Sequence, residues 1–175
     1  MIKKYILKNQ TDLLNPILGT KIVYCTDEFF APAKRLLNPS NPIFKDKVHV
    51  INTFINQFEN LDSPRKKKII KNHPDLGEKI KINDNLTDLS KNEQKNAGLD
   101  NCTHEEYSFF QKMNNEFKLK FDIPFIFAVK GSNKNIIIDE FKKRLMNENI
   151  DIEFNESIKQ VKKIANYRLE DIIDE

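Results

Sequence analysis

The sequence predicts a mainly all-α protein, a helical bundle preceded by a short segment of irregular or β-like character. From residue 48 onward, apolar residues recur three and four positions apart, and Ser, Thr or Asn precedes the apolar stripes. Before that, four prolines between residues 16 and 42 interrupt the chain, and residues 21–25 are β-like. The 175 residues are therefore predicted to divide into a segment over 1–47 and a helical domain over 48–175.

The first two predicted helices lead up to a His-Pro pair. The first helix ends near residues 60–62, and its apolar stripe follows the i, i+3, i+4, i+7 pattern. The stripe consists of Ile51, Phe54, Ile55 and Phe58. Ser63 is predicted to cap the second helix, with Pro64 at its first helical position, where the missing N–H does no harm. His73-Pro74 then ends this helix, because a proline disfavours the α conformation of the residue before it.

Two capping boxes predict the next helices. Ser90 with Glu93, and Thr103 with Glu106, fit the pattern in which a hydroxyl and a carboxylate accept hydrogen bonds from free N–H groups at a helix start. The second of these helices should run to about residue 120.

The remaining chain is predicted to contain one buried extended piece and two helices. Residues 125–129 form a continuous apolar run that is short enough to be extended. Ser132 is predicted to cap the next helix, and Asn155 the last one. The predicted inner face of the last helix comprises Ile158, Val161, Ile164, Ala165, Leu169 and Ile172.

Composition excludes several classes of protein. A net charge of +3, spread along the chain, gives no reason to expect nucleic acid or an acidic membrane as a partner. No apolar run is long enough to span a bilayer, and the first 20 residues lack the features of a signal peptide. Cys25 and Cys102 are too few for a disulfide framework or a zinc site, so we expect reduced thiols and a cytoplasmic location. Because the Gly-rich phosphate loop, HExxH and GxSxG are all missing, any catalysis should be cofactor-free acid/base chemistry.

His73 is the titratable residue whose position most favours chemistry. Its imidazole should project from a helix end, where the carbonyl groups of the last turn favour its protonated form. That environment suits an acid or base working near neutral pH. The structural alternative is a helix cap or an ordinary surface histidine.

The other charged candidates also have structural alternatives. The capping box already explains Glu93 on spacing alone. Arg168 is the only arginine in a last helix whose other cations are lysines, and its planar guanidinium suits a carboxylate, but a surface ion pair is the ordinary explanation. The basic run at residues 65–68 lacks interleaved aromatic residues, so a solvated helix face is favoured over a phosphate contact.

Four motifs in a fixed order resemble the 2-oxo-4-hydroxy-4-carboxy-5-ureidoimidazoline (OHCU) decarboxylases of purine degradation. They are HPDLG at residues 73–77, LTDLSKNEQKNAGLD at 86–100, FDIPFIFAVKG at 121–131 and IANYRL at 164–169. Each motif alone is weak, but together they cover roughly residues 48–173. The resemblance implies decarboxylation of OHCU to (S)-allantoin, on a helical fold that needs neither a metal nor an organic cofactor.

The same resemblance implies the roles of individual residues. His73 and Glu93 match catalytic positions, and which of the two delivers the final proton is left open. Substrate contacts are implied for Pro74, Ser90, Gln94, Phe125, Ile126, Phe127 and Arg168. In the stretch from 125 to 127 the backbone groups are implied to touch the ring, and Arg168 to hold a carboxylate or ring oxygen. The expected partner is the small-molecule substrate, and a homodimer is left open.

The amino-terminal segment departs from that family. Residues 18–39 resemble the opening strand and loop of allantoicase, and the chain lacks the tryptophan of the family's first helices. This stretch is far too short for an allantoicase domain, so allantoicase activity is not expected. The alternative to an active decarboxylase is a shortened allantoicase-decarboxylase fusion with impaired catalysis, which would act at most as a helical binding module.

Overall fold

A computed structural model describes residues 47–77 and 88–172 of the chain. Within these two ranges the secondary structure is helical and contains no strand, which confirms the all-α prediction. The helices are α1 (Lys47–Glu59), α2 (Ser63–Lys71), α3 (Asp88–Asn96), α4 (His104–Phe121), α5 (Lys134–Leu145) and α6 (Ile150–Ile172), with a 3₁₀ turn at Leu99–Asn101. The predictions for residues 1–46, including the β-like stretch, lie outside the described residues.

The chain divides into two compact units. The first consists of Met1–Ile69 with Ile164–Glu175, of which residues 47–69 and 164–172 are described. In its helix α1, Ile51 and Phe58 of the predicted stripe are buried, and Ile55 is half-buried. The second unit is Ile70–Lys163, described over residues 70–77 and 88–163. None of the described helices is long and apolar enough to cross a membrane.

One predicted capping box is confirmed, at the start of α4. The Glu106 N–H donates to Thr103 Oγ1 at 3.2 Å, and the Thr103 N–H donates to Glu106 Oε2 at 2.9 Å. The helix ends at Asp122, whose φ of 56° is left-handed, as is usual for a residue that closes a helix.

The predicted caps of α2, α5 and α6 are wrong. Asp62, not Ser63, caps α2, since its Oδ1 accepts the Arg65 N–H at 2.9 Å. Asn133, not Ser132, caps α5, and Asn149, not Asn155, caps α6 through the Ile152 N–H at 3.2 Å. At α2 and α5 the cap is the residue next to the predicted serine, and its side-chain oxygen is an equally good hydrogen-bond acceptor. In the first turns of α6 the buried residues, Glu153 and Ser157, are polar. The apolar pattern therefore does not show that the helix begins before residue 155.

The second unit contains a core of phenylalanine rings. Phe125 stacks on Phe141 of α5 with ring centroids 3.7 Å apart, and Phe117 of α4 meets both rings edge-on at 5.3 and 5.9 Å. All three side chains are buried, and burying a side chain of this size contributes roughly 1.5–3 kcal/mol. Residues 124–129 are thereby anchored to α4 and α5 without being helical themselves.

Candidate active site

His73 lies two residues beyond the end of α2. Its backbone N–H donates to the Ile70 carbonyl at 3.1 Å, which closes the last turn of the helix. The imidazole is half-buried, with its Nε2 atom shielded from solvent, and Pro74 beside it is exposed. The predicted helix end at His73-Pro74 is therefore confirmed, and the structure places a titratable ring there.

The chain that follows His73 is held from two helices. Asn114 of α4 donates from Nδ2 to the Leu76 carbonyl at 2.8 Å. The Gly77 N–H donates to Oε1 of Gln94, on α3, at 3.2 Å. Both amide side chains are buried, so these hydrogen bonds are shielded from competition with water. The backbone of residues 76–77 is thus fixed by side chains from α3 and α4.

Two further contacts restrict the same segment. The Asp75 carboxylate accepts a hydrogen bond from Lys118 of α4 at 2.5 Å. Gly77 has a φ of +73°, and a Cβ at this position would lie 2.8 Å from Cγ of Phe110. The left-handed backbone and the closeness of the ring both explain why glycine stands there.

Helix α3 carries the other predicted residues of this part of the site. Glu93 is half-buried, and Gln94 beside it is only 5% exposed. Because Gln94 accepts the Gly77 N–H, the structure brings the helix of Glu93 against the segment of His73. Ser90 lies in the first turn of α3, which begins at Asp88, so it is not the predicted cap; its side chain lies outside the described residues.

Residues 125–127 form part of a buried, non-helical stretch. The side chains of Phe125 and Ile126 are in the core, and Phe127 is half-buried. The rings of Phe125 and Phe127 are nearly parallel, with centroids 6.3 Å apart. This is the arrangement expected for side chains two residues apart in an extended chain, as predicted for the stretch.

A buried polar cluster behind this stretch was missed by the sequence analysis. Arg144 of α5 donates from Nη1 to the Ile126 carbonyl at 2.6 Å and from Nε to Oε1 of Glu153 at 2.8 Å. Its Nη2 atom donates to the same Glu153 oxygen and to Ser157 Oγ. Gln160 accepts the Ala128 N–H at 3.0 Å. The signal in the sequence is that residues 153, 157 and 160 are polar yet follow the i, i+4, i+7 spacing of a buried stripe.

Arg168 belongs to the other compact unit, on the last part of α6. It is only 8% exposed, so its side chain does not lie at the surface, where the ion-pair alternative placed it. Buried arginines are almost always paired with an acceptor. For Arg168 this acceptor can be a structural partner within the protein or an anionic ligand. Its convergence with His73 and Glu93 on one cleft stays a prediction.

The surroundings of Cys102, just before α4, disfavour the reactive thiolate form of its side chain. Burial, with the nearby Glu106 carboxylate, raises the pKa of the Cys102 thiol, so it is protonated and a poor nucleophile at neutral pH. A hydrogen bond from Lys134, at 2.7 Å, holds the pKa of the Glu106 carboxyl below its usual range. In the described ranges, no group of three His, Cys, Asp or Glu side chains is arranged to hold a metal ion.

Comparison with known families gives a match over most of the chain. The family model described as OHCU decarboxylase matches residues 25–170, a span that begins within the predicted amino-terminal segment. A similar protein is the 2-oxo-4-hydroxy-4-carboxy-5-ureidoimidazoline decarboxylase of Xenopus laevis, 35% identical over 129 residues. These residues are 74% of this chain and 73% of the relative.

Another relative is a much longer protein. The uric acid degradation bifunctional protein of Bacillus sp. (strain TB-90) is 42% identical over 108 residues, which are 62% of this chain. The match covers 20% of that relative, so the chain spans about a fifth of its length. The resemblance of residues 18–39 to allantoicase stays a prediction.

Solved structures share the fold. A crystal structure of OHCU decarboxylase in the presence of (S)-allantoin has a TM-score of 0.67 and 18% sequence identity, covering 94% of this chain and 99% of that one. A crystal structure of (S)-allantoin synthase has a TM-score of 0.65 and 19% identity, covering 98% of this chain and 53% of that one. At this level of identity the likeness establishes the helical fold.

Proposed function

We propose that this chain, which belongs to the OHCU decarboxylase family, converts OHCU to (S)-allantoin without a cofactor. The observation that carries the proposal is the hydrogen bond between Gly77 and Gln94. It joins the segment of His73 to the helix of Glu93, which supports a shared site for two groups that can exchange protons. Relatives that are 30–42% identical and bear the decarboxylase or uric acid degradation names support the substrate class.

The chemistry needs a few positioned groups. When the C4–carboxyl bond of OHCU breaks, its electron pair forms a C4–C5 double bond, and the imine pair of C5 moves to the ring nitrogen, which takes up a proton. The C4 hydroxyl then loses its proton and becomes a carbonyl as C5 gains one. Delivery of that proton from one face yields a single enantiomer of allantoin.

The roles of the side chains follow from these needs. His73 works on the C4 hydroxyl or carboxylate, and its position at a helix end suits proton exchange near neutral pH. Glu93 orients the ring and helps to move the proton. Arg168 anchors the anionic end of the substrate, because a guanidinium matches the geometry of a carboxylate.

Backbone groups complete the proposed site. The Ile126 carbonyl is already bonded to Arg144, which makes the N–H and C=O of Phe127 the better candidates for contact with the ring. Gln94 supports the site by holding Gly77, whether or not its amide also touches the substrate. The proposed compartment is the cytosol, and the proposed partner is the small molecule alone, without nucleic acid or membrane.

The test is to supply freshly generated OHCU and follow allantoin formation by circular dichroism. We expect the chain to produce (S)-allantoin in enantiomeric excess. Glu93→Gln should lose about 100-fold or more in rate, within the usual range for a general acid or base, whereas the matched Glu116→Gln on an exposed part of α4 should not. Racemic product at the uncatalysed rate from the unmodified chain would refute the proposal.

A further inference from the structure

We propose that Arg144 and Gln160 are positioning residues, which hold one edge of the extended residues 125–128 so that the Phe127 backbone is presented to the substrate. The inference rests on the proposed function for the identity of the substrate. Its structural part rests on the contacts of residues 126 and 128 with α5 and α6.

Two backbone groups of the stretch are held on the same edge. Nη1 of Arg144 donates to the Ile126 carbonyl at 2.6 Å, and Oε1 of Gln160 accepts the Ala128 N–H at 3.0 Å. In an extended chain the N–H and C=O of one residue point to the same edge, and successive residues alternate between the two edges. Residues 126 and 128 therefore face the side of Arg144 and Gln160, and Phe127 faces the opposite edge.

The Phe127 backbone is suited to bind a ligand. Among the described residues, no group hydrogen-bonds with its N–H or C=O. Backbone polar groups in a largely buried stretch are seldom left without a partner. An N–H and a C=O side by side can pair with the alternating C=O and N–H groups of a ureide or imidazolinone ring.

Both positioning side chains are themselves held in one orientation. The Gln160 Nε2 atom donates to Glu156 at 2.9 Å, which turns Oε1 toward the Ala128 N–H. Arg144 is 4% exposed, paired with the buried Glu153 carboxylate, and lies over the Phe125 ring at 4.6 Å. A guanidinium that is bonded on several sides has little freedom, so the Ile126 carbonyl is fixed with it.

The test compares Gln160→Met with a swap variant and a matched control. Gln160→Met keeps the side-chain length but removes the acceptor for Ala128. The double variant Glu156→Gln/Gln160→Glu reverses the hydrogen bond between residues 156 and 160 and restores an acceptor at 160. Gln111→Met makes the same replacement at an exposed position on α4.

Two measurements separate a positioning role from a purely structural one. By hydrogen exchange and NMR, the Ala128 amide should exchange roughly tenfold faster in Gln160→Met, the loss expected for one net hydrogen bond, and regain protection in the swap variant. With OHCU, Gln160→Met should raise KM roughly tenfold with kcat little changed, since the Phe127 backbone would bind substrate and transition state alike. The Gln111→Met control should match the unmodified protein.

Contrary results are distinct. An unchanged exchange rate of the Ala128 amide in Gln160→Met would overturn the positioning role. A fall in kcat at constant KM would also overturn it, because a smaller fraction of folded protein lowers the apparent kcat and leaves KM unchanged. If Gln160→Met does not fold, Arg144→Lys replaces it, and the same rise in KM is expected because an ammonium lacks the planar fork that reaches Glu153 and Ile126 from separate nitrogens. If the unmodified chain does not turn over OHCU, the proposed function fails, while the exchange rates still decide whether Gln160 holds the stretch.

Discussion

Replacing Gly77 by alanine should destabilise the protein by about 2–5 kcal/mol, through two separable effects. The backbone at Gly77 has a φ of +73°, where an L side chain is strained by about 1–2 kcal/mol. The added Cβ would also lie 2.8 Å from Cγ of Phe110, closer than real Cβ contacts. Phe110 is fully buried, so its ring can yield only by disturbing the core, at a cost of about 1–3 kcal/mol.

Gly131 provides a matched control. Its φ of +76° is nearly the same, but a Cβ there would meet no atom within 4 Å. Gly131→Ala should therefore cost only the backbone term, about 1–2 kcal/mol. The effect of alanine on the unfolded chain is common to both variants and cancels in the comparison.

The assay is urea denaturation of both variants, with the free energy of unfolding extrapolated to water. We expect Gly77→Ala to be less stable than Gly131→Ala by about 1–3 kcal/mol. It should also lose activity on OHCU, because Gly77 is tied to Gln94 and lies four residues from His73. Equal stability of the two variants would refute the close packing of Gly77 against Phe110.

Two further changes have expected outcomes. Asn114→Ala should lower the free energy of unfolding by about 1–3 kcal/mol in urea denaturation, because it removes the donor to the buried Leu76 carbonyl. The control Asn115→Ala, on the exposed side of α4, should change it by no more than about 0.5 kcal/mol. Equal losses in the two variants would contradict this expectation. Glu106→Gln keeps a capping-box residue but removes the ion pair with Lys134. Because the pKa of Glu106 is lowered in the folded state, the unmodified protein should be more stable than Glu106→Gln above about pH 4.3, the ordinary pKa of a glutamate. This difference in the free energy of unfolding should disappear as the pH falls through the folded-state pKa. A difference that persists unchanged in strong acid would count against the ion pair as its cause.

The parts of the fold that local patterns determine were predicted well. The proline after His73 and the stripe of Ile51 and Phe58 placed α1 and α2 because both act within a few residues. The capping box of Thr103 placed α4 for the same reason. The exact first residue of a helix is harder to predict, because neighbouring Ser, Asp and Asn residues can cap the helix with similar energies.

The polar interior could not be predicted in the same way. Glu153 and Gln160 are buried because they pair with Arg144 and the Ala128 N–H, which belong to other segments, 9 and 32 residues away in the sequence. The family resemblance implies a substrate contact for Gln94, and the structure gives this residue a second role at Gly77 that no local pattern indicates. A polar residue on an inward helix face is informative only once its partner is known.

His73 provides the most direct test of the proposed decarboxylase. The measurement is the rate and enantiomeric excess of (S)-allantoin formed from freshly generated OHCU by His73→Asn, with His104→Asn at an exposed position of α4 as the control. We expect His73→Asn to lose enantioselective turnover while its helical circular dichroism stays unchanged, and His104→Asn to retain both. An unchanged rate and enantiomeric excess for His73→Asn would contradict the assignment of this residue to the chemistry.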